Sequence, residues 1–162
     1  MRIRMTIRGE EALHGLSLFF LRSVIRETLT RSFPHVFGAD RTVVIDVACV
    51  SDAEITKLNG MYRKQAKPTD ILSFGRFEGL SALRSVPKSG AIDLGQIVLS
   101  PAFIARSAVE DGVSWKREFT YVFSHGVLHL VGFNHEAQMF AIQDAVTEIL
   151  APLEHMRKEE KK

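Results

Sequence analysis

Residues 2–8 alternate polar and apolar side chains (Arg-Ile-Arg-Met-Thr-Ile-Arg), which is the period of a β-strand and predicts an edge strand. Residues 11–32 carry Leu13, Leu16, Phe20, Val24 and Leu29 at helical spacing, predicting one amphipathic helix with Pro34 beyond its end. Thr42 to Val50 is rich in β-branched residues and reads as a strand. Ser51-Asp-Ala-Glu54 has capping-box spacing and opens a short helix to about Tyr62. A loop around Pro68 follows, then a second strand from Asp70 to Phe77. Residues 78–90 hold Gly79, Pro87 and Gly90 and read as a mobile loop. Ile92 to Leu99 predicts a third strand in this region. Ser100-Pro101 supplies a cap and a first-turn proline for a helix that Gly112 stops near Asp111. Ser114 caps the next helix, which runs to Val131 and ends at Gly132, and Glu136 to Leu150 forms the last. The pattern predicts an α+β fold: a small mixed sheet with several packed helices.

Composition narrows the class. At 162 residues, 46% hydrophobic and 25% charged, the chain matches an ordinary globule and excludes a disordered chain or a coiled coil. We expect one domain over residues 1–155 and a charged, frayed tail at 156–162. No apolar run reaches the ~18 residues of a membrane span. The segment Leu16–Leu21 follows Arg2, Arg4 and Arg8, but Glu10 and Glu11 intervene and no cleavage site follows, so it is not a secretory signal. The expected location is the cytoplasm, with no membrane partner. Cys49 is the only cysteine, which excludes an internal disulfide and a cysteine metal knuckle. Charge is uneven: residues 57–88 hold seven basic residues against Asp70 and Glu78, a net +5. Such a stretch suits a polyanion, or a solvated loop.

The chemistry is densest at His125-Gly-Val-Leu-His129-Leu-Val-Gly-Phe-Asn-His135. His125 and His129 are one helical turn apart and share a face. Phe119, Phe123, Gly126, Val127 and Leu130 form an apolar stripe pointing elsewhere. Gly132 can end the helix in a left-handed turn and bring His135 back toward the pair. Three neutral imidazoles are a common catalytic zinc set with a fourth position open. One Zn²⁺ is therefore the expected cofactor, held by His125, His129 and His135. Zinc peptidases with the same histidine spacing carry glutamate directly after the first histidine as general base. Gly126 stands there and cannot accept a proton, which weighs against a metallopeptidase.

The second constellation is Leu58-Asn-Gly-Met-Tyr-Arg-Lys-Gln-Ala-Lys-Pro-Thr-Asp-Ile-Leu-Ser-Phe74. In it, Arg63 offers paired donors suited to phosphate oxygens. With Leu58-Asn59, Tyr62-Arg63, Pro68 to Phe74, Leu94-Gly95, Ile97 to Ser100 and the histidine motif, the chain resembles the YbeY endoribonucleases, bacterial rRNA maturation factors. The resemblance runs in order from about residue 43 to 150. It implies an α+β fold and a metal-dependent endoribonuclease specific for single-stranded RNA. The implied role is maturation of ribosomal RNA, at the 3′ end of the 16S rRNA of the small subunit, with ribosome quality control. Ribosome-associated proteins are the implied partners. The family's metal ligands carry over to His125, His129 and His135, and its functional arginine to Arg63. The candidate catalytic residues are thus Arg63 and His125.

Two positions depart from the family pattern. Gln96 and Asn134 stand where aspartate is usual, each exchanging a carboxylate for an amide. If either aspartate tunes the metal site, this site is less negative and its supporting shell is altered. A non-catalytic ribosome-assembly factor with a structural metal is the alternative that these changes keep open.

Overall fold

The computed structural model describes residues 1–154. The end of the expected domain and the charged tail lie outside the described residues. Four strands and six α-helices follow in the order β1 (Arg2–Arg8), α1 (Leu18–Ser32), β2 (Arg41–Cys49), α2 (Asp52–Arg63), β3 (Ile71–Gly75), α3 (Leu80–Arg84), β4 (Gly90–Leu99), α4 (Pro101–Asp111), α5 (Trp115–Leu130) and α6 (Ala137–Leu150). The sheet order is β1-β2-β4-β3. β1, β2 and β4 are parallel, and β3 runs antiparallel to β4 at the free edge. The fold is mixed α+β, and β1 is an edge strand as its alternation predicts.

Alternation along the strands separates two faces. Ile3, Val43, Ile45, Val47, Ile71, Ile97 and Leu99 join α1, α5 and α6 in the main core. Ala48, Leu72 and Val98 face the other way and meet Ile55 of α2 in a smaller cluster. α5 is the central helix. It packs on α1, α4, α6 and two strands. Its stripe Phe119, Phe123, Val127 and Leu130 is fully buried. Burying one such side chain contributes roughly 1.5–3 kcal/mol, so the helix that carries the histidines is held firmly.

β3 lies close against α5. A Cβ built on Gly126 would stand 2.3 Å from Ile71 Cδ1, and Ser73 Oγ donates to the Gly126 carbonyl at 3.2 Å. Gly95 sits at a bulge where β4 slips against β2 between Val44 and Ile45. Its φ of 111° and the 2.1 Å from a built Cβ to the Phe74 carbonyl oxygen leave room only for glycine.

Two segments differ from the sequence reading. The single helix expected over 11–32 is broken. A 3-10 turn spans Glu10–Leu13, His14 and Gly15 take left-handed conformations, and Ser17 starts α1 by accepting from Phe20 N at 3.1 Å. Capping by serine and the freedom of glycine outweigh the continuous apolar spacing, because Leu13 reaches the core from the turn anyway. Residues 78–90 are not a bare loop. They contain α3, whose Leu83 is fully buried. The buried Arg41 guanidinium stitches the rest of the segment down, donating to the carbonyls of Val36 at 3.0 Å, of Ser89 at 3.1 Å and of Pro87.

Candidate metal centre

α5 starts at Ser114, whose hydroxyl accepts from Arg117 N at 3.2 Å. It ends in a Schellman turn. Phe133 N–H donates to the Leu128 carbonyl at 3.1 Å, and Gly132 N–H donates to the His129 carbonyl at 3.0 Å. Gly132 has φ 92°, and a Cβ there would stand 2.6 Å from the Gly79 carbonyl carbon. Phe133 plugs into the core and anchors the reversal. The chain then swings back, and His135 meets the two helical histidines.

The three Nε2 atoms converge. They lie 2.9 Å apart for His125–His129, 3.2 Å for His129–His135 and 3.2 Å for His135–His125. Two nitrogens on a tetrahedral zinc, with bonds of about 2.0–2.1 Å, stand about 3.3 Å apart. The triangle is close to that edge length. The other ring nitrogens explain its polarity. His129 Nδ1 lies 2.9 Å from the Phe133 carbonyl oxygen, which can only accept, so Nδ1 carries the proton. His125 Nδ1 lies 3.3 Å from Gln143 Oε1, with the same consequence. Both Nε2 atoms are then bare lone pairs aimed at one another. Lone pairs that close repel, and a cation between them removes the repulsion. The donor set therefore fits a divalent metal ion. Burial keeps both imidazoles neutral: it pushes His125 down, and it drives His129 to about 4 with help from the facing His125. Neutral imidazole is the form that binds metal.

Gln143 is a site residue that the sequence reading missed. It is almost fully buried on α6, and its amide donates to the Tyr121 carbonyl at 3.1 Å. Its signal was a polar residue on the apolar face of Met139, Ile142 and Val146, a signal it shares with Thr147. Asp70, Glu118 and Tyr121 were missed as well. With His125, His135 and Gln143 they line a cavity of about 290 Å³. Burial pushes the Glu118 carboxyl up, and the charges of Asp111 and Asp70 add to that. Gly126, in contrast, faces Ile71 and Ser73 of the sheet, away from the cavity.

Arg63 is the last residue of α2 and is exposed. Its charge reaches both His125 and His129 and helps keep them neutral. α2 and α5 lie on opposite faces of the sheet, so Arg63 acts on the histidines only through its charge, from beyond the free edge at β3. Lys64 turns left-handed with φ 56° to end the helix. The buried Asn59 holds the turn that follows. Its side-chain amide donates to the Lys67 carbonyl at 3.0 Å, and its backbone carbonyl accepts from Gln65 N at 3.3 Å. The two amide replacements lie elsewhere. Asn134 is exposed, and Gln96 sits on the sheet face opposite α5, beside Asp46 and Phe74 in the register. Among the described residues, neither hydrogen-bonds to the three rings; that support comes from Gln143 and the Phe133 carbonyl.

A family model described as Endoribonuclease YbeY matches residues 10–153. The chain belongs to the YbeY family. An Endoribonuclease YbeY of Symbiobacterium thermophilum is 39% identical over 121 residues, covering 72% of this chain and 75% of that one. The YbeY of Halalkalibacterium halodurans is 34% identical over 131 residues, covering 76% and 82%. The fold is similar to a solution structure of a Thermotoga maritima protein, with a TM-score of 0.54 and 26% identity over 91% of this chain and 88% of that one. Membership in the YbeY family agrees with the resemblance read from the histidine and Pro-Thr-Asp motifs.

Proposed function

We propose that the protein is a metal-dependent endoribonuclease that cuts single-stranded RNA during ribosomal RNA maturation in the cytoplasm. The single observation that carries this reading is the convergence of three Nε2 atoms within 3.2 Å, in a chain of the YbeY family. Among the described residues no helix is long and apolar enough to cross a membrane. The proposed substrate is the 3′ end of small-subunit rRNA, and the proposed setting includes ribosome quality control with ribosome-associated proteins. One domain spanning residues 1–155 is the proposed catalytic unit.

In this reading His125, His129 and His135 hold one Zn²⁺. When bound, the ion supplies a Lewis acid for the phosphoryl group. Gln143 and the Phe133 carbonyl fix the tautomers that keep Nε2 available. Arg63 binds the phosphate and neutralises charge that builds during cleavage. Lys64, Lys67 and Arg76 hold the neighbouring backbone. The burial of Gly126 against β3 weighs against a peptidase, since a residue there faces the sheet.

The test is substitution. Arg63→Ala lowers cleavage of single-stranded RNA by about 10²–10³-fold, the loss typical of one positioned donor, while metal content stays at the wild-type level. Wild-type cleavage by that variant refutes the role of Arg63. Loss of metal and activity together would make Arg63 a structural residue instead.

A further inference from the structure

The sheet face opposite α5 is only partly covered. α2 seals one end over Ala48, Leu72 and Val98. On β1, alternation turns Ile3, Met5 and Ile7 toward the main core and Arg2, Arg4, Thr6 and Arg8 the other way, where all four are exposed. The register carries this face across the sheet from Thr6 to Asp46, Gln96 and Phe74. Arg76 lies just past β3 and pairs with Asp93 at 3.2 Å, both side chains at least half exposed.

Two hollows sit on this face, each larger than the cavity at the histidines. One, of about 400 Å³, lies among Thr6, Arg8, Asp46, Phe74 and Arg76. The other, of about 360 Å³, runs from Arg8 across Gln96 and Phe74 to Leu58 and Tyr62. Tyr62 stands edge-on to Phe74 with ring centroids 5.0 Å apart, and it directly precedes Arg63. The two hollows share Arg8, Phe74 and Gln96, so the floor is continuous from Arg8 of β1 to Tyr62 at the end of α2.

The charges on the face are unbalanced. Asp46 accepts from the Thr6 hydroxyl, and Asp93 is shared between Arg76 and Gly95 N–H. Arg2, Arg4 and Arg8 make no salt bridge among the described residues. Three such guanidiniums in a row attract a chain of negative charges. The aromatic pair Tyr62 and Phe74 offers a stacking platform at the other end. The hollow beside α2 is lined mostly by apolar residues such as Leu58, Tyr62, Phe74 and Val98, whereas toward β1 the lining is polar, with Thr6, Arg8, Asp46, Gln96 and Arg76.

We infer that this bare sheet face binds the backbone of a single-stranded RNA whose reactive segment lies at the three histidines. The inference rests on the reading of the protein as an RNA-cutting enzyme, but it concerns binding beyond the cut site. β1 stands three strands from β3, about 14 Å away at the usual spacing. Only an RNA long enough to cross that distance reaches the arginines.

The test compares wild type with the triple variant Arg2→Gln, Arg4→Gln, Arg8→Gln. All three side chains are exposed, and an unchanged melting temperature checks the fold. Fluorescence anisotropy follows binding of single-stranded RNAs of about 3 and about 20 nucleotides at two salt concentrations, the shorter spanning only about 10 Å at about 3.4 Å per nucleotide. Losing three phosphate contacts shrinks the salt slope by about 2, so a fourfold rise in salt weakens the wild type about 18-fold more than the variant on the long RNA. On the short RNA the two proteins stay within about twofold. In cleavage, KM for the long RNA rises and kcat holds. Equal weakening on both lengths overturns the proposal. Unchanged binding of the long RNA overturns it too, and a protein occupying the face would give that result. If neither protein cuts RNA yet the length-dependent difference stands, the catalytic reading fails and the binding surface survives.

Discussion

Gln143→Leu removes one acceptor and nearly preserves volume. Gln143 is 1% exposed, and leucine in its place offers His125 Nδ1–H no acceptor. His125 Nδ1–H then loses the partner that sets its tautomer, and the ring is free to present the wrong nitrogen to the ion. Removing the hydrogen-bond partner of a metal-bound histidine typically weakens metal binding 10–100-fold, or about 1.4–2.8 kcal/mol. The fold loses less. The Tyr121 carbonyl gives up its bond from the Gln143 amide, a neutral bond worth about 1 kcal/mol. Metal affinity therefore falls further than stability. Gln143→Glu moves the other way, because a carboxylate facing Nδ1–H makes Nε2 a stronger donor. A competition titration of zinc against a chromophoric chelator measures both variants, with thermal melting in parallel. Affinities of both variants within twofold of wild type would refute the claim that Gln143 orients His125.

Two further predictions concern the turn and the protons. Gly132→Ala forces an L side chain to φ 92° and drives its Cβ onto the backbone of Gly79. The cost is about 2–4 kcal/mol, a fall in Tm of roughly 5–10 °C, and zinc binding weakens with it because His135 is displaced. Retention of wild-type Tm and zinc affinity shows that the turn tolerates a side chain. The metal-free protein loses stability as pH falls from 6.5 toward 4. His129 has its pKa lowered from 6.5 to about 4 in the fold, so in that window the unfolded chain binds a proton that the native chain excludes. Tm measured against pH after chelation shows the slope, and His129→Gln reduces it; identical slopes in the two proteins contradict the assignment.

Much of this was legible because local rules and packing agreed. Ser100-Pro101, Gly112, Ser114 and Gly132 mark helix ends that the structure places within a residue or two. The return of His135 followed from one glycine. Other features depend on contacts distant in sequence. The amide of Gln143 finds His125 across two helices, and Asp70 and Glu118 meet beside the histidines only once β3 packs on α5. Nor does the spacing reveal that Gly126 faces the sheet. The break at His14-Gly15 was missed because Leu13 and Leu16 keep helical spacing through it. The short α3 was missed because Gly79 and Pro87 punctuate a segment whose Leu83 nevertheless reaches the core. Gln96, made prominent by the family resemblance, lies on the opposite sheet face, and Asn134, next to His135 in the chain, is exposed and among the described residues makes no hydrogen bond to the rings.

Metal analysis of the purified protein, paired with RNA cleavage, tests the centre most directly. The geometry predicts one zinc per chain in the wild type, none in His129→Ala, and cleavage of single-stranded RNA by the first alone. A His129→Ala variant that keeps its metal, or a metal-free protein that still cuts RNA, would contradict it.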